Sequence, residues 1–210
     1  MISYQVIVVT PFQQNCRLFV NPQTRECVVS DPGDRGEDIY NAIKDAGFSL
    51  KSILITHMHL DHVGGVGKLH ELSKAPIYGS AIEDSEMLLH LDRQATAFGL
   101  KKAPIFDTHY VKDGEIVHAM DGFDLKVITT PGHTPGGVCY YCETEKLLLT
   151  GDTLFNGSVG RTDFPGGSTE DLVDSIKNKL FVLPENTQVL CGHGPDTTIG
   201  EEKENNPYVF

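Results

Sequence analysis

Apolar residues along this chain fall in short blocks. Eight blocks read as strands: Tyr4–Val9, Arg17–Val20, Glu26–Ser30, Ser52–Thr56, Leu125–Thr129, Val138–Cys142, Leu147–Thr150 and Gln188–Cys191. Most are β-branched and bounded by Gly, Pro or Asp, the punctuation expected of strands. Between them the apolar period lengthens. Glu37–Ala46 places Ile39, Ile43 and Ala46 on one face and ends at Gly47, a helix stop signal. Val63–Ser73 and Ala81–Leu91 read as further helices, the latter with Met87, Leu88 and Leu91 apolar. Ser168–Leu180 is the clearest helix, with Ser168 as cap, Asp171 three residues on, and Leu172, Ile176 and Leu180 at helical spacing. Strands cluster first and then mix with helices. That order predicts a layered α/β or α+β domain with interior sheet.

The length of 210 residues suits one domain with a substantial core, and no linker, repeat or low-complexity tract divides it. Seventeen basic residues stand against 29 acidic ones, a net charge of −12. Without a basic block such a chain is a poor nucleic-acid binder, since that affinity rests on Lys and Arg. It also gains nothing at an anionic membrane face, and no run approaches the ~18 apolar residues of a membrane span. The N-terminal stretch lacks the charged start of a signal peptide and reads as a strand. Five scattered cysteines, Cys16, Cys27, Cys139, Cys142 and Cys191, suit reduced thiols in a cytoplasmic protein. Cys139 and Cys142 have redox-motif spacing, but on a strand residues three apart face opposite sides, so both are expected to be structural.

The chemistry concentrates in Thr56-His57-Met58-His59-Leu60-Asp61-His62, directly after an apolar strand and before Gly64-Gly65. Four potential ligands sit within six residues at a strand's carboxyl end, where open sheets place their sites. In an extended segment His57 and His59 point the same way. Asp61 and His62 turn toward a second point as the chain bends into a helix. Crowded imidazole and carboxylate suit a borderline divalent metal such as zinc. Three later strand ends add one candidate each: His133 in a Pro/Gly loop, Asp152 after Gly151, and His193 between Gly192 and Gly194. Flanking glycines let backbone approach closely. His70, His90, His109 and His118 lie outside this set. A lone His or Asp in a loop is ordinarily structural; seven such residues, all at strand ends, are hard to explain by packing.

The pattern His57-x-His59-x-Asp61-His62, then His133, Asp152 and His193, resembles the metallo-β-lactamase superfamily in identity, order and spacing. The resemblance covers nearly the whole chain. It implies a four-layer αββα sandwich with two divalent metal ions at one edge, zinc expected and iron or manganese acceptable. By that resemblance His57, His59 and His133 hold one ion, Asp61, His62 and His193 the other, and Asp152 bridges both. Asp152, where one lactamase subclass has Cys, argues against that subclass, and lactamase activity would need export. Gly151–Phe155 resembles the glyoxalase II, or hydroxyacylglutathione hydrolase, group, and Gly160–Gly167 and Gly192–Gly200, with Asn206-Pro207, are similar to the bacterial single-domain glyoxalase II-like proteins. That implies hydrolysis of a glutathione-derived thioester such as S-D-lactoylglutathione, with Asp61 and Asp152 in the catalytic centre. Only 17 residues follow His193, enough for a short helix and not for the helical glutathione-binding domain of two-domain relatives. Arg161 is the best basic candidate for substrate contact; Lys203 and the group Arg93, Lys101 and Lys102 are weaker. Two alternatives share the motif. One is a glutathione persulfide dioxygenase with a mononuclear iron site, suggested by Gly160–Phe164 and opposed by the hydrolase-like Cys191–Pro195; the other is a broad thioesterase. Superfamily nucleases also share it, but the charge speaks against RNA. The sequence sets no oligomeric state.

Overall fold

Side-chain alternation along the strands sorts the core into three separate bodies, and these define the layers. The computed structural model describes residues 2–209. The first sheet contains β1 (Ser3–Val9), β2 (Gln14–Asn21), β3 (Glu26–Ser30), β4 (Ser49–Leu54), β5 (Ile77–Gly79) and β6 (His109–Tyr110), in sequence order. Its first three strands are antiparallel and the rest run parallel to β3. Parallel neighbours need crossovers. These are α1 (Gly36–Asp45) before β4, α2 (Leu60–Val63) and α3 (Val66–Ser73) before β5, and α4 (Ser85–Leu89) and α5 (Leu91–Phe98) before β6.

The second sheet begins with β7 (Ile116–Met120), β8 (Phe123–Thr129), β9 (Val138–Cys142) and β10 (Leu147–Gly151). A short ribbon, β11 (Leu154–Phe155) with β12 (Ser158–Val159), and α6 (Thr169–Ser175) follow. The chain then adds β13 (Gln188–Cys191), β14 (Thr197–Thr198) and α7 (Ile199–Asn205). The spatial order is β14-β13-β10-β9-β8-β7.

Cys27 and Val29 of β3 and Ile53 of β4 pack with Ile39, Ile43, Val66 and Leu69 of the first helical layer. Val28 and Leu54 point the other way, meeting Phe123, Leu125, Tyr140 and Leu149 between the sheets. Cys139, Tyr141, Leu148 and Val189 leave the far side of the second sheet against Leu172, Ile176 and Ile199. Three apolar bodies between four layers make the αββα sandwich. Strands buried on both faces explain why Val138–Cys142 and Leu147–Thr150 read as continuous apolar blocks. Cys139 and Cys142 do face opposite sides, and all five cysteines are free and buried.

Several boundaries differ from the sequence reading. The expected helix Ala81–Leu91 is a 3-10 turn (Ile82–Asp84), then α4, then α5 running on to Phe98. The break is at His90, whose φ of −115° and ψ of 24° are not helical. Gly64 and Gly65 similarly separate α2 from α3. The ladder of β4 ends at Leu54, because the Thr56 amide turns away to a side-chain carboxylate on Asp31. β7, which the sequence pattern does not predict, is a sheet edge with Ile116 and His118 exposed. The cap at Ser168 holds, its hydroxyl accepting from the Asp171 amide at 3.2 Å. No helix among the described residues is long and apolar enough to cross a membrane.

Candidate metal centre

The strand directions decide where the chemistry gathers. β8 and β10 are both antiparallel to β9, and β13 is parallel to β10, so all three end at one edge. The residues just beyond those ends are His133, Asp152 and His193. The loop after β4 meets them there, its Thr56 carbonyl accepting from the Val138 amide at 2.9 Å. Gly151 makes that approach possible. It has φ of +49°, and a Cβ there would overlap the Thr56 side chain.

The loop itself is fixed by two buried carboxylates. Asp31 accepts from the Thr56 amide and hydroxyl, both at 2.8 Å. With its proton given to Asp31, the Thr56 oxygen accepts from His57 Nδ1–H at 3.1 Å. His57 Nε2 is left buried, facing the cluster, with no hydrogen-bond partner. Asp84 accepts from the Met58 amide at 3.2 Å, the Thr134 hydroxyl at 2.9 Å and the Gly136 amide at 2.6 Å. It therefore ties the His57–His59 loop to the loop of His133. His59 is extended at the start of α2, with φ of −74° and ψ of 142°. Asp61 and His62 follow in the first turn.

On His133 and His193 the outer imidazole nitrogen bonds a backbone carbonyl, which aims the other inward. His133 Nδ1–H donates to the Arg161 carbonyl at 2.7 Å, and His193 Nδ1–H to the Phe12 carbonyl at 3.0 Å. His133 Nε2 then lies 3.0 Å from His59 Nδ1, and His193 Nε2 lies 3.3 Å from His62 Nε2. Such lone pairs facing each other repel unless a proton or cation sits between them. Asp152 reaches all sides: Oδ1 is 3.2 Å from His62 Nε2, and Oδ2 is 3.6 Å from both His133 Nε2 and His193 Nε2. Asp61 Oδ2 is 3.3 Å from His193 Nε2. His57, His59 and His133 form one group with ligand atoms within 4.8 Å of one another. Asp61, His62 and His193 form a second, and His57, His62 and Asp152 join them.

Burial and neighbouring imidazoles hold His57 well below the ordinary imidazole range and bring His59 to about 4. Burial works the same way on His62, but Asp152 and Asp61 outweigh it and raise the group. The same pairing lowers Asp61 and Asp152 against their own burial. Neutral His57 and His59, ionised Asp61 and Asp152, and the orphaned Nε2 of His57 are donors that suit a divalent cation. The residues fit a metal centre.

All seven candidate ligands are thus brought together, while His70, His90, His109 and His118 are not. His70 Nδ1–H donates to the Ala75 carbonyl, and His109 and His118 pair with Glu115 and Asp124. Arg161 borders the same site, but the Nε and Nη2 edge of its guanidinium is held by Asp163 at 2.7 and 2.6 Å. Lys101, Lys102 and Lys203 pair with Asp34, Asp92 and Glu185, and Arg93 is exposed. Sequence reasoning missed Asp31 and Asp84. It also missed Arg17, buried and bonded to the Cys191 carbonyl at 2.9 Å and to Asp196, and Asn15, whose amide holds the Cys191 and Gly194 carbonyls. Arg17 and Asn15 brace the His193 loop from the first sheet.

Above the cluster opens a cavity of about 500 Å³ lined by Phe12, Leu60, Phe98, Phe155, Val159 and Phe164, with His59, Asp61, His133, Asp152 and His193 on its floor.

A family model described as the metallo-beta-lactamase superfamily matches residues 9–193. A hydroxyacylglutathione hydrolase, GloC, of Haemophilus influenzae is 39% identical over 209 residues, covering 99% of this chain and 98% of that one. The crystal structure of BLEG-1 B3 metallo-beta-lactamase superposes with a TM-score of 0.90 at 34% identity, over 99% of each chain. TTHA1623, solved in a di-iron-bound form, gives 0.87 at 35% identity, covering 98% of this chain and 100% of that one. Together with the sandwich and its His/Asp edge, these matches show that the chain is a metallo-hydrolase belonging to the metallo-β-lactamase superfamily.

Proposed function

We propose that the chain is a thioester hydrolase that holds two divalent ions and cleaves a glutathione-derived thioester, S-D-lactoylglutathione or a related acylglutathione. The observation that carries the reading is Asp152, standing between two complete ligand groups. In this reading His57, His59 and His133 hold one ion, Asp61, His62 and His193 the other, and Asp152 both. Zinc suits the donors, and iron is supported by the di-iron relative. Ions bound there would supply Lewis acidity toward a carbonyl oxygen and lower the pKa of water to about 7. Asp61 and Asp152 stay ionised at neutral pH, so their oxygens orient an attacking water by accepting its hydrogens. His133 and His193 donate outward through Nδ1 to backbone carbonyls, which turns their Nε2 atoms toward Asp152. The leaving thiolate needs no strong acid, because a thiol pKa of about 8.5 is close to neutral. The GloC relative, whose name states this activity, supports the substrate class.

The test is metal quantification on purified protein followed by thiol release from acylglutathiones. Two ions per chain with release of glutathione bear the reading out; metal-replete protein releasing none refutes it. A second reading, β-lactam hydrolysis, is favoured by the match to a B3 enzyme. A chromogenic cephalosporin in the same assay separates the two. Oxygen uptake with glutathione persulfide would instead mark the dioxygenase.

A further inference from the structure

The cavity above the cluster has a character that the ligand set does not explain. Phe12 comes from the β1–β2 turn, Phe98 from the end of α5, Phe155 from β11 and Phe164 from the loop after β12. Their rings meet edge to face in a continuous run: Phe12 to Phe98 at 6.1 Å, Phe98 to Phe164 at 5.8 Å, and Phe164 to the His59 imidazole at 5.4 Å. Phe155 closes on His193 from the other side at 6.3 Å. Phe12 and Phe98 are 45% and 43% exposed, so the run holds apolar surface open to water beside the candidate ligands. The turn carrying Phe12 has Thr10 and Gln13 at φ of 59° and 57°, strain retained where the backbone presents that ring and bonds His193.

Charge sharpens the point. Among the described lining residues the only permanent cation is Arg161, and Asp163 holds it at the rim. Its guanidinium stacks 4.0 Å over Phe164, extending the wall instead of facing the floor. A glutathione thioester has one long, charged half and one acyl half. On the wall the charged half meets only Arg161, already paired with Asp163. Both halves leave the reacting carbonyl among the rings around His59 and His193, but only an acyl chain stays apolar as it extends along them.

We infer that the aromatic run from Phe12 to Phe164 is an acyl site, and that the preferred substrates are thioesters with an apolar acyl group larger than lactoyl. This rests on the thioester reading above. Each methylene that the wall removes from water raises kcat/KM by about fourfold until the cavity fills. A lactoyl group, with a hydroxyl and one methyl, gains little there.

The experiment compares kcat/KM for S-lactoyl-, S-acetyl-, S-butyryl- and S-hexanoylglutathione on the metal-replete protein. The expected result is a hexanoyl-to-acetyl ratio of at least about tenfold, with butyryl above lactoyl. Phe98→Ala and Phe12→Ala remove half-exposed rings, so both fold, and each should cut the ratio severalfold. Phe98→Leu, still apolar, should restore most of it. Turnover of all four esters with a flat series, or with lactoyl fastest, overturns the inference and leaves the thioester reading standing. A ratio unchanged in both alanine variants overturns it equally. No thiol release from any ester refutes the thioester reading, and the inference with it.

Discussion

Asp84 offers the sharpest test of how the site is assembled, because it joins two ligand loops and chelates nothing. Its carboxylate is fully buried and accepts three hydrogen bonds, from Met58, Thr134 and Gly136. In Asp84→Ala the Thr134 hydroxyl can rotate to another acceptor, but the two backbone amides cannot. Each buried amide left without a partner costs about 1–3 kcal/mol. One effect opposes this. Burial raises the Asp84 pKa despite the three donors, so the native carboxylate is itself held at some cost. The net loss is therefore placed at about 2–4 kcal/mol. The larger consequence is positional: without the tie, His57 and His59 drift relative to His133, and loss of such a support lowers metal affinity by about 10–100-fold. Urea unfolding of the metal-free protein measures the first quantity, and zinc titration against a competing chelator the second. Asp84→Asn keeps one acceptor and should fall between wild type and Asp84→Ala in both. Affinity within about twofold of wild type, or a stability loss under about 0.5 kcal/mol, would refute the reasoning.

Arg17→Ala should destabilise the protein by about 2–3 kcal/mol and weaken metal binding, because it strips the Cys191 carbonyl and Asp196 of their buried partner; the figure is below the usual 3–5 for a broken buried pair since Asp196 is partly exposed. Thermal melts and chelator competition check both effects. Metal binding should strengthen as pH rises above the ordinary imidazole range, with proton release. At neutral pH Asp61, Asp152, His57 and His59 carry no proton to displace, whereas raised His62 and His193 do, and that barrier falls as pH rises through their pKa values. Calorimetry in buffers of different ionisation enthalpy reads the released protons. A disulfide reagent at about pH 8 should find no reactive thiol in the native protein and five after unfolding. Burial pushes Cys139 up to about 11 and Cys27 and Cys191 to about 12, keeping them protonated, and all five are out of reach.

The residues legible in sequence were those whose chemistry restricts their identity. An ion accepts few side chains, and backbone crowding at a strand end accepts little but glycine, so His57, Gly151 and His193 announce themselves without a fold. Asp31, Asp84 and Arg17 do not, because an isolated carboxylate or guanidinium has the same appearance whether it caps a turn or braces a loop. Only the fold reveals their partners: Arg17 and Asp196 are 179 residues apart, and Asp84 and Gly136 are 52 apart. The layers were legible for a similar reason. Strands apolar on both faces imply cover on both faces, whereas β7 is a short edge strand broken by the exposed His118 and gives no comparable run. The reach of α5 to Phe98 was hidden because its outer face is polar and only Leu91 and Ala95 are buried.

The segment after His193, with α7, braces one wall of this site. Glu202 on α7 is buried with no cation beside it, yet its two oxygens accept from the Thr197 hydroxyl at 2.6 Å, the Asn206 amide at 2.7 Å and the Gly157 backbone at 2.9 Å. Asn206 in turn donates to the Ser158 carbonyl at 3.0 Å. Gly157 and Ser158 lie in the ribbon of β11 and β12, which supplies Phe155 and Val159 to the cavity wall. A buried carboxylate is costly unless every lone pair is engaged. Here the engaged partners are the turn that sets the height of the wall over Asp152 and His193. The segment after His193 thus holds one side of the cleft in place, and does so with polar contacts that apolar packing would not aim as sharply.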